Sequence, residues 1–123
     1  MATHNDFGKE AEQLAVSYLQ DKGYKIITRN FRFQKAEIDI IAEKDTIIAV
    51  IEVKARSTDL FLLPQEAVNK KKIRLIVSAA DYYLEKNGKD NEVRFDIISV
   101  LPGTEEKFEI THIENAFEAL DAN

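Results

Sequence analysis

The stretch from residue 37 to residue 54, EIDIIAEKDTIIAVIEVK, constrains the fold more than any other part of the chain. Its second half is an apolar run from Ile47 to Val53 that is interrupted only by Glu52, which is typical of a central strand covered on both faces. Asp45 and Thr46 precede this run and predict a tight turn. The stretch therefore predicts an antiparallel hairpin with a deeply buried second strand.

The two strands of this hairpin carry charged residues that strand periodicity can bring together. Successive strand residues point to opposite faces, so Glu52 and Lys54 share one face of the second strand. A turn centred between Asp45 and Thr46 pairs Asp39 with Glu52, and directly paired residues project to the same side. The sequence alone does not settle the register, and a slip of one residue would move Asp39 to the other face.

Two carboxylates and an ammonium at the end of a buried strand need a partner. Burying charged groups alone is costly, so such residues require opposite charges, a cation or a water-filled cleft. The alternative is that Asp39, Glu52 and Lys54 are solvated residues at strand ends, because a pattern as short as D…ExK also arises by chance.

Length and composition exclude several kinds of protein. A chain of 123 residues predicts a single domain over residues 1–123, with residues 1–5 as a loose tail. Cysteine is absent, which excludes disulfides and thiolate zinc sites. Neither a membrane-spanning run nor a signal-peptide pattern is present, so we expect a cytoplasmic protein without a membrane partner. His4 and His112 are too far apart to be ligand-spaced, and we expect them in the tail and in a strand.

The charge is distributed in blocks, although the net charge of −5 argues against a protein that simply coats nucleic acid. Residues 22–36 carry basic residues and no acid, and a second basic block comprises Lys54, Arg56, Lys70, Lys71, Lys72 and Arg74. Basic segments on both sides of an acidic centre suit a polyanion bound over a metal site. The alternative is that both blocks are solvated faces of a strand and a helix.

The predicted order of elements is αβββαββα. In chain order these are a helix over residues 6–22, a strand over 24–33, the hairpin over 36–55, a helix between Pro64 and residue 87, strands over 93–101 and 107–112, and a short helix over 115–120. The crossover helix favours parallel pairing of the third and fourth strands, while the first three form an antiparallel meander. We therefore expect an α/β fold with a mixed sheet of about five strands and helices on both faces.

The first predicted helix carries a carboxylate in an unusual place. Glu12 falls on the border of the apolar stripe, and Gly8 lies one turn before it on the same side. One interpretation is an acid near a helix start, which the macrodipole favours. The other is a third carboxylate that is directed at the hairpin.

Together these residues form the pattern G-x-x-x-E … E-I-D … E-V-K, which resembles the PD-(D/E)xK nuclease superfamily. Specifically, the chain is similar to the YraN-like family of small bacterial proteins, predicted endonucleases related to Holliday-junction resolvases. The residues that carry this resemblance are Gly8, Glu12, Ala15, Tyr18, Leu19, Gly23, Tyr24, Arg29, Asn30, Glu37, Ile38, Asp39, Glu52, Val53, Lys54, Ala55, Arg56, Ala67, Val68, Lys72, Arg94, Phe95 and Asp96. One departure is the segment from Gln34 to Ala36, where the family commonly has a glycine pair.

The resemblance implies a restriction-endonuclease-like fold and a phosphodiesterase site that uses Mg²⁺, with Mn²⁺ as a substitute. Asp39 and Glu52 would be ligands together with the Val53 carbonyl, since Mg²⁺ is usually held by one or two carboxylates plus phosphate and water. Lys54 would orient the attacking water or contact the scissile phosphate, and these two roles stay open. Glu12 would support the site or complete a second metal site.

The remaining candidates are Glu37, which shares the face of Asp39, and a set of basic residues. The candidates for phosphate contacts are Arg56, Lys70, Lys71 and Lys72. The expected partner is nucleic acid, with DNA first, and the choice between a monomer and a homodimer stays open. The competing hypotheses are a non-catalytic nucleic-acid-binding or assembly module that retains the fold, and an enzyme that acts only within a larger complex.

Overall fold

The chain forms a five-stranded mixed sheet with helices packed on its two faces. The computed structural model describes residues 4–56, 68–103 and 107–122. Its elements are helix α1 (His4–Asp21), strands β1 (Lys25–Phe33), β2 (Ala36–Lys44) and β3 (Ile47–Ala55), helix α2 (Lys70–Lys86), strands β4 (Glu92–Pro102) and β5 (Phe108–Phe117), and a 3-10 helix (Ala119–Ala122). This confirms the predicted α/β class and the order of elements.

The sheet order is β1-β2-β3-β4-β5. The first three strands pair antiparallel, β3 and β4 pair parallel, and β4 and β5 pair antiparallel. The parallel pair is the one that α2 connects, as expected for a crossover helix. The predicted meander and the predicted parallel pair are therefore both confirmed.

Two apolar clusters hold the helices against the sheet. The cluster under α1 includes Leu19, Ile40, Ile51 and Ile98, and the cluster under α2 includes Ile41, Ile48, Val50, Ile76 and Ile97. Residues of β3 alternate between the two clusters because successive strand residues face opposite ways. The sheet is therefore covered on both sides, which explains why β3 is apolar almost throughout.

The helix ends follow local rules. Gly23, with a φ of 94°, ends α1 as predicted, and Asn69 caps α2 by accepting a hydrogen bond from the Lys72 backbone N–H at 2.9 Å. The first helix was predicted to begin at residue 6, whereas α1 begins two residues earlier, at His4. The predicted helix start at Pro64 lies outside the described residues. No helix in the described ranges is both long and apolar enough to cross a membrane.

The end of the chain differs from the prediction. β5 continues to Phe117, where a helix over residues 115–120 was expected, and only a four-residue 3-10 helix follows. Two contacts with β4 explain this difference. The Asn115 backbone N–H donates to Asp96 Oδ1 at 3.0 Å, and the Phe117 ring stacks on Phe95 with centroids 5.3 Å apart. These tertiary contacts outweigh the local helical pattern.

Candidate active site

The hairpin register brings Asp39 and Glu52 to the same side of the sheet. The ladder between β2 and β3 pairs Lys44 with Ile47 and Ile40 with Ile51, which is the register predicted from a turn at residues 45 and 46. The paired ladder ends at Ile40 and Ile51, and the next residues, Asp39 and Glu52, line the same cleft. Glu52 follows Val50 by two residues on β3, so it faces α2.

Beyond the backbone ladder, β2 and β3 are joined by a hydrogen bond to the Asp39 side chain. Asp39 Oδ2 accepts a hydrogen bond from the Val53 backbone N–H at 2.8 Å. The N–H and C=O of one strand residue point to the same side, so the Val53 carbonyl is also directed toward β2. The backbone oxygen expected as a third ligand therefore lies on the side of the two carboxylates.

These residues line a cleft between the end of the hairpin and α2. Its volume is about 360 Å³, and its lining residues are Lys35, Ala36, Glu37, Asp39, Glu52, Lys72, Leu75 and Ile76. Glu52 is almost completely buried, with 4% of its surface exposed. The cleft thus combines an apolar wall from α2 with three carboxylates and two ammonium groups.

Two lysines share the Glu52 carboxylate. Lys72 Nζ lies 2.9 Å from Glu52 Oε2, and Lys54 Nζ lies 4.0 Å from the same oxygen. Burial, together with the neighbouring Lys72 ammonium, lowers the pKa of Lys54 to about 8. For Lys72, burial alone would lower the pKa, but hydrogen bonds with Lys54 and Glu52 outweigh it and raise the pKa.

Lys72 lines the cleft, whereas the sequence analysis grouped it with the other basic candidates for phosphate contacts. Its ammonium lies inside the cleft because Lys72, Leu75 and Ile76 follow the helical i, i+3, i+4 spacing on one side of α2. That spacing was present in the sequence. Recognising it required knowledge of which side of α2 faces the sheet, which tertiary packing determines.

The surroundings of Asp39 disfavour the ionised form of its carboxyl group. Burial raises the pKa of Asp39 to about 6, and the charge of Glu52 contributes in the same direction. The Val53 N–H and the Lys72 ammonium oppose this rise only in part. Two adjacent carboxylates without full compensation form an environment that a divalent cation would stabilise.

Glu12 approaches the same region from α1. Burial raises the pKa of Glu12, and the next largest cause is the charge of Asp39. With the Asn30 amide oriented so that its nitrogen faces the acids, it donates to Glu12 Oε1 at 3.3 Å and to Glu37 Oε1 at 3.1 Å. Glu37 lines the cleft, whereas Glu12 is not one of its lining residues and is connected to Glu37 through Asn30.

The acids do not form a closed cage of ligands. Across residues 4–56, 68–103 and 107–122, no three acidic or histidine side chains are grouped closely enough to hold a metal ion by themselves. The donors expected from the sequence are the Asp39 and Glu52 carboxylates and the Val53 carbonyl, and Glu37 is a further carboxylate that lines the cleft. Such a partial set suits Mg²⁺, which retains several waters, better than it suits Ca²⁺, which takes six to eight oxygen ligands.

The other basic candidates flank the residues of the site along the chain. Lys70 and Lys71 are exposed in the first turn of α2, which contains no acidic residue. Arg56 follows β3, and its backbone N–H donates to the Val100 carbonyl at 3.0 Å. A helix N-terminus carries a partial positive charge, so Lys70 and Lys71 add to a positive potential beside the cleft.

A second polar cluster, on the α1 face, was not recognised as a cluster in the sequence. Asp96 is fully buried and accepts hydrogen bonds from Arg94 at 2.9 Å for both the Nε and the Nη2 atom, and from His112 Nε2 at 2.7 Å. The Tyr18 hydroxyl lies 3.2 Å from His112 Nδ1, and Arg94 also donates to the Tyr24 hydroxyl. The available signal was an acid within the apolar alternation of β4.

This second cluster is internally compensated. Burial alone would raise the pKa of Asp96, but hydrogen bonds from His112, Arg94 and the Asn115 backbone outweigh it and hold the pKa below its usual value. No buried side-chain nitrogen or oxygen in the described part of the chain lacks a hydrogen-bond partner. The Asp96 cluster therefore connects α1, β4 and β5 as a structural element.

Comparison with known proteins places most of the chain in one family. Residues 11–100 match the model of a family described as Uncharacterised protein family UPF0102. The chain is 51% identical to a UPF0102 protein of Flavobacterium psychrophilum over 95% of this chain and 98% of the relative. It is 44% identical to a UPF0102 protein of Persephonella marina over 90% of this chain and 92% of the relative.

Proposed function

This chain belongs to the uncharacterised protein family UPF0102, and from the geometry of its cleft we propose that it is a magnesium-dependent endonuclease that hydrolyses phosphodiester bonds in DNA. The proposal includes the restriction-endonuclease-like fold and a cytoplasmic location. It rests on chemistry at the cleft, since neither the name of the family nor that of its members states an activity.

The observation that carries the proposal is the convergence of Asp39, Glu52 and Lys54 at one place on the sheet. The Asp39 carboxylate is held by the Val53 N–H at 2.8 Å, and Lys54 Nζ lies 4.0 Å from Glu52. These residues come from two strands, and their grouping depends on the register of the hairpin. Metal-dependent phosphodiester hydrolysis uses such a grouping, with anionic ligands for a cation beside a cationic group for phosphate.

The residues present fit a divalent cation. Asp39, Glu52 and the Val53 carbonyl would hold it, and the raised pKa of Asp39 identifies a carboxylate pair that a positive charge would stabilise. The Lys72 ammonium already supplies part of this positive charge, since Lys72 Nζ lies 2.9 Å from Glu52 Oε2. When bound, Mg²⁺ would polarise the phosphoryl oxygens and make a water molecule more acidic.

Side chains of the protein would orient the attacking water, stabilise the negative charge and limit the access of bulk water. Lys54 would orient the attacking water or neutralise an oxygen of the scissile phosphate, and its position beside Glu52 permits either role. Lys72 would stabilise the negative charge that accumulates on the phosphate. Asn30 would hold the Glu37 carboxylate in the lining of the cleft and connect it to Glu12, and the apolar wall formed by Leu75 and Ile76 would limit the access of bulk water.

Cleavage and metal binding test this proposal separately. The protein should cleave at least one substrate in a panel of linear and branched DNA when Mg²⁺ or Mn²⁺ is present, and it should melt at a higher temperature with either metal. Ligand binding stabilises the native state by about 2.7 kcal/mol at a hundred times the dissociation constant. An RNA panel of the same sequences tests the choice of DNA. If the protein shows no cleavage of any substrate and no metal-induced shift in melting temperature, the proposal is contradicted.

Replacing Lys54 by Ala should separate turnover from metal binding. We expect cleavage to fall by about 100- to 10,000-fold, the range typical of a positioned proton-transfer or charge-stabilising group. The metal-induced melting shift should persist because Asp39 and Glu52 remain. Lys89→Ala, beyond the far end of α2, is the matched control and should cleave normally. If Lys54→Ala cleaves at the rate of the parent protein, Lys54 has no catalytic role.

One observation favours a second candidate, a non-catalytic nucleic-acid-binding module that retains the fold. The ion pair between Lys72 and Glu52 already compensates a buried carboxylate without any metal. Under this alternative, nucleic acid would bind equally well with Mg²⁺ or with a chelator. Glu52→Gln would then leave nucleic-acid binding unchanged. Under the nuclease proposal, the same variant would lose the effect of Mg²⁺ on nucleic-acid binding.

Both candidates predict nucleic-acid binding that is weak and strongly dependent on salt, since counterion release governs contacts with phosphate. Reversing Lys70 and Lys71 to Glu should weaken binding alike across sequences, and each lost phosphate contact should reduce the salt slope by about one unit. Fluorescence anisotropy over a series of salt concentrations measures both quantities. The reversal Lys25→Glu with Lys89→Glu makes the same charge change at the opposite end of the sheet and should have a smaller effect. Equal effects of the two reversals would show that Lys70 and Lys71 have no special position.

A further inference from the structure

Beside the cleft, three aromatic side chains form a continuous surface that the proposed reaction does not use. The Phe33 and Tyr82 rings are stacked with centroids 4.2 Å apart and an angle of 18° between their planes. The Phe31 ring lies 6.4 Å from Tyr82 and also contacts Tyr83 edge-on. We call Phe31, Phe33 and Tyr82 the aromatic shelf.

The shelf is partly open to solvent. Tyr82 has 36% of its surface exposed and is one of two large apolar side chains exposed in the described part of the chain. Phe31 and Phe33 are half-buried on β1, which is an edge strand of the sheet. Tyr83, the next residue on α2, is buried in the core. The core is therefore covered already by Tyr83, and Tyr82 extends the aromatic surface outward.

The shelf continues directly from the cleft. Phe33 is paired with Ala36, which lines the cleft together with Lys35. On α2, Leu75 lines the cleft, and Tyr82 follows it by seven residues, which is two helical turns or about 10 Å along the same side of the helix. A strand with its phosphate in the cleft can therefore place a neighbouring nucleotide over the shelf.

Positive charge lies at both ends of the shelf. Lys35 lines the cleft at one end, and Lys86 Nζ lies 5.7 Å from the centre of the Tyr82 ring at the other. Lys71 projects from the same side of α2, while the exposed acids Asp81 and Glu85 lie on the adjacent flank of the helix. A row of cations beside exposed aromatic faces is complementary to a strand of nucleic acid, in which phosphates alternate with flat bases.

We propose that the aromatic shelf is a stacking site for unpaired bases, so that the protein binds single-stranded nucleic acid in preference to a fully paired duplex. Bases in a duplex are stacked on their own neighbours, whereas an unpaired base has a free face for an aromatic side chain. This inference deepens the proposed function, on which it rests, by naming its substrate class. It predicts that the bound region of any substrate contains an unpaired segment beside the scissile phosphate.

The test is a titration of the full chain in EDTA, so that cleavage does not interfere. The probes are oligodeoxythymidine and oligouridine of about twelve nucleotides, which is within the usual site size of 4–16 nucleotides, and a duplex of equal length. A 2-aminopurine in one strand reports stacking through the quenching of its fluorescence. We expect both single strands to bind more tightly than the duplex, and we expect the fluorescence of the 2-aminopurine to be quenched on binding.

The informative variant is Tyr82→Leu, which retains an apolar side chain against Phe33 but removes the aromatic face. It should weaken single-strand binding by about 5- to 150-fold, abolish the quenching and leave the affinity for duplex unchanged. Tyr82→Phe should behave as the parent protein. Phe108→Leu is the matched control, because Phe108 stacks with Phe7 on the opposite face of the sheet at 6.0 Å.

Three results would overturn the inference. The first is equal affinity of the parent protein for single strands and duplex, and the second is single-strand binding unaffected by Tyr82→Leu while the variant melts as the parent does. The third is dissociation of a dimer by Tyr82→Leu in sedimentation, which would assign the shelf to a second copy of the chain. The titrations contain no metal and are therefore independent of the cleavage assays. Base stacking in the titrations without cleavage in the assays would contradict only the proposed function. Cleavage without base stacking would contradict only this inference.

Discussion

Replacing Asp39 by Asn should abolish cleavage while leaving the protein folded. The loss of a metal ligand removes several kcal/mol of transition-state stabilisation, which corresponds to a decrease in rate of at least about a thousandfold. Asn is nearly isosteric, and its side-chain oxygen can still accept the hydrogen bond from the Val53 N–H. Cleavage assays in Mg²⁺ and circular dichroism of the same samples measure the two effects.

The same variant should be more stable than the parent protein in the absence of metal. The pKa of Asp39 is raised to about 6 in the folded state, so ionisation of this acid destabilises the fold. This penalty is absent below 3.8, the ordinary pKa of an aspartate, develops as the pH rises toward 6, and is complete above it. We expect Asp39→Asn to gain about 1–2 kcal/mol at pH 7 and almost nothing at pH 3.5, a value discounted for solvent screening because Asp39 is only half-buried.

Urea denaturation at the two pH values measures this gain. Asp81→Asn, at an exposed position on α2, is the matched control and should change the free energy of unfolding little at either pH. A substantial loss of stability in Asp39→Asn at pH 7 would mean that the Asp39 carboxylate is part of the structural framework. The account of a cleft that is kept ready for a cation would then fail.

The second large effect concerns the cluster on the other face of the sheet. Asp96→Asn should destabilise the protein by about 3–5 kcal/mol, because removing one charge from a buried pair leaves its partner without compensation. The new amide nitrogen would also face a donor, either Arg94 or His112, in place of an accepting oxygen. Because domains have only about 5–15 kcal/mol of stability, a loss of this magnitude should lower the melting temperature markedly.

Thermal and urea denaturation of Asp96→Asn test this prediction. The stability that Asp96 contributes should be present above 3.8, the ordinary pKa of an aspartate, and should be lost as the pH falls through its lowered pKa in the folded state. The difference between the parent protein and the variant should therefore disappear in strong acid. A loss below about 1 kcal/mol at pH 7 would contradict the structural role, because that is the range of ordinary surface substitutions.

The cleft could be predicted from the sequence to the extent that it depends on local periodicity. A two-residue turn and a period of two place Asp39, Glu52 and Lys54 on one face, and the observed pairing of Ile40 with Ile51 confirms the register behind that prediction. The Val53 backbone could be included for the same reason. These positions follow from rules that act over a few residues.

Features that depend on distant contacts could not be predicted in the same way. The contact of Lys72 with Glu52 requires the rotational phase of α2 relative to β3, two elements that lie far apart in the chain. The aromatic shelf requires β1 beside α2. The C-terminal helix was predicted from a local apolar pattern, but Asp96 and Phe95 hold that segment as a strand.

The central claim is that Asp39 and Glu52 hold a divalent cation, and crystals soaked in Mn²⁺ test it most directly through the anomalous signal of the metal. The account predicts a peak between the Asp39 and Glu52 carboxylates, within about 2.0–2.6 Å of their oxygens as for divalent cations bound by oxygen ligands. It also predicts that Lys72 moves away from Glu52 and that the peak is absent from Asp39→Asn crystals. A fully soaked crystal with no peak there, and with Lys72 still paired to Glu52, would contradict the claim.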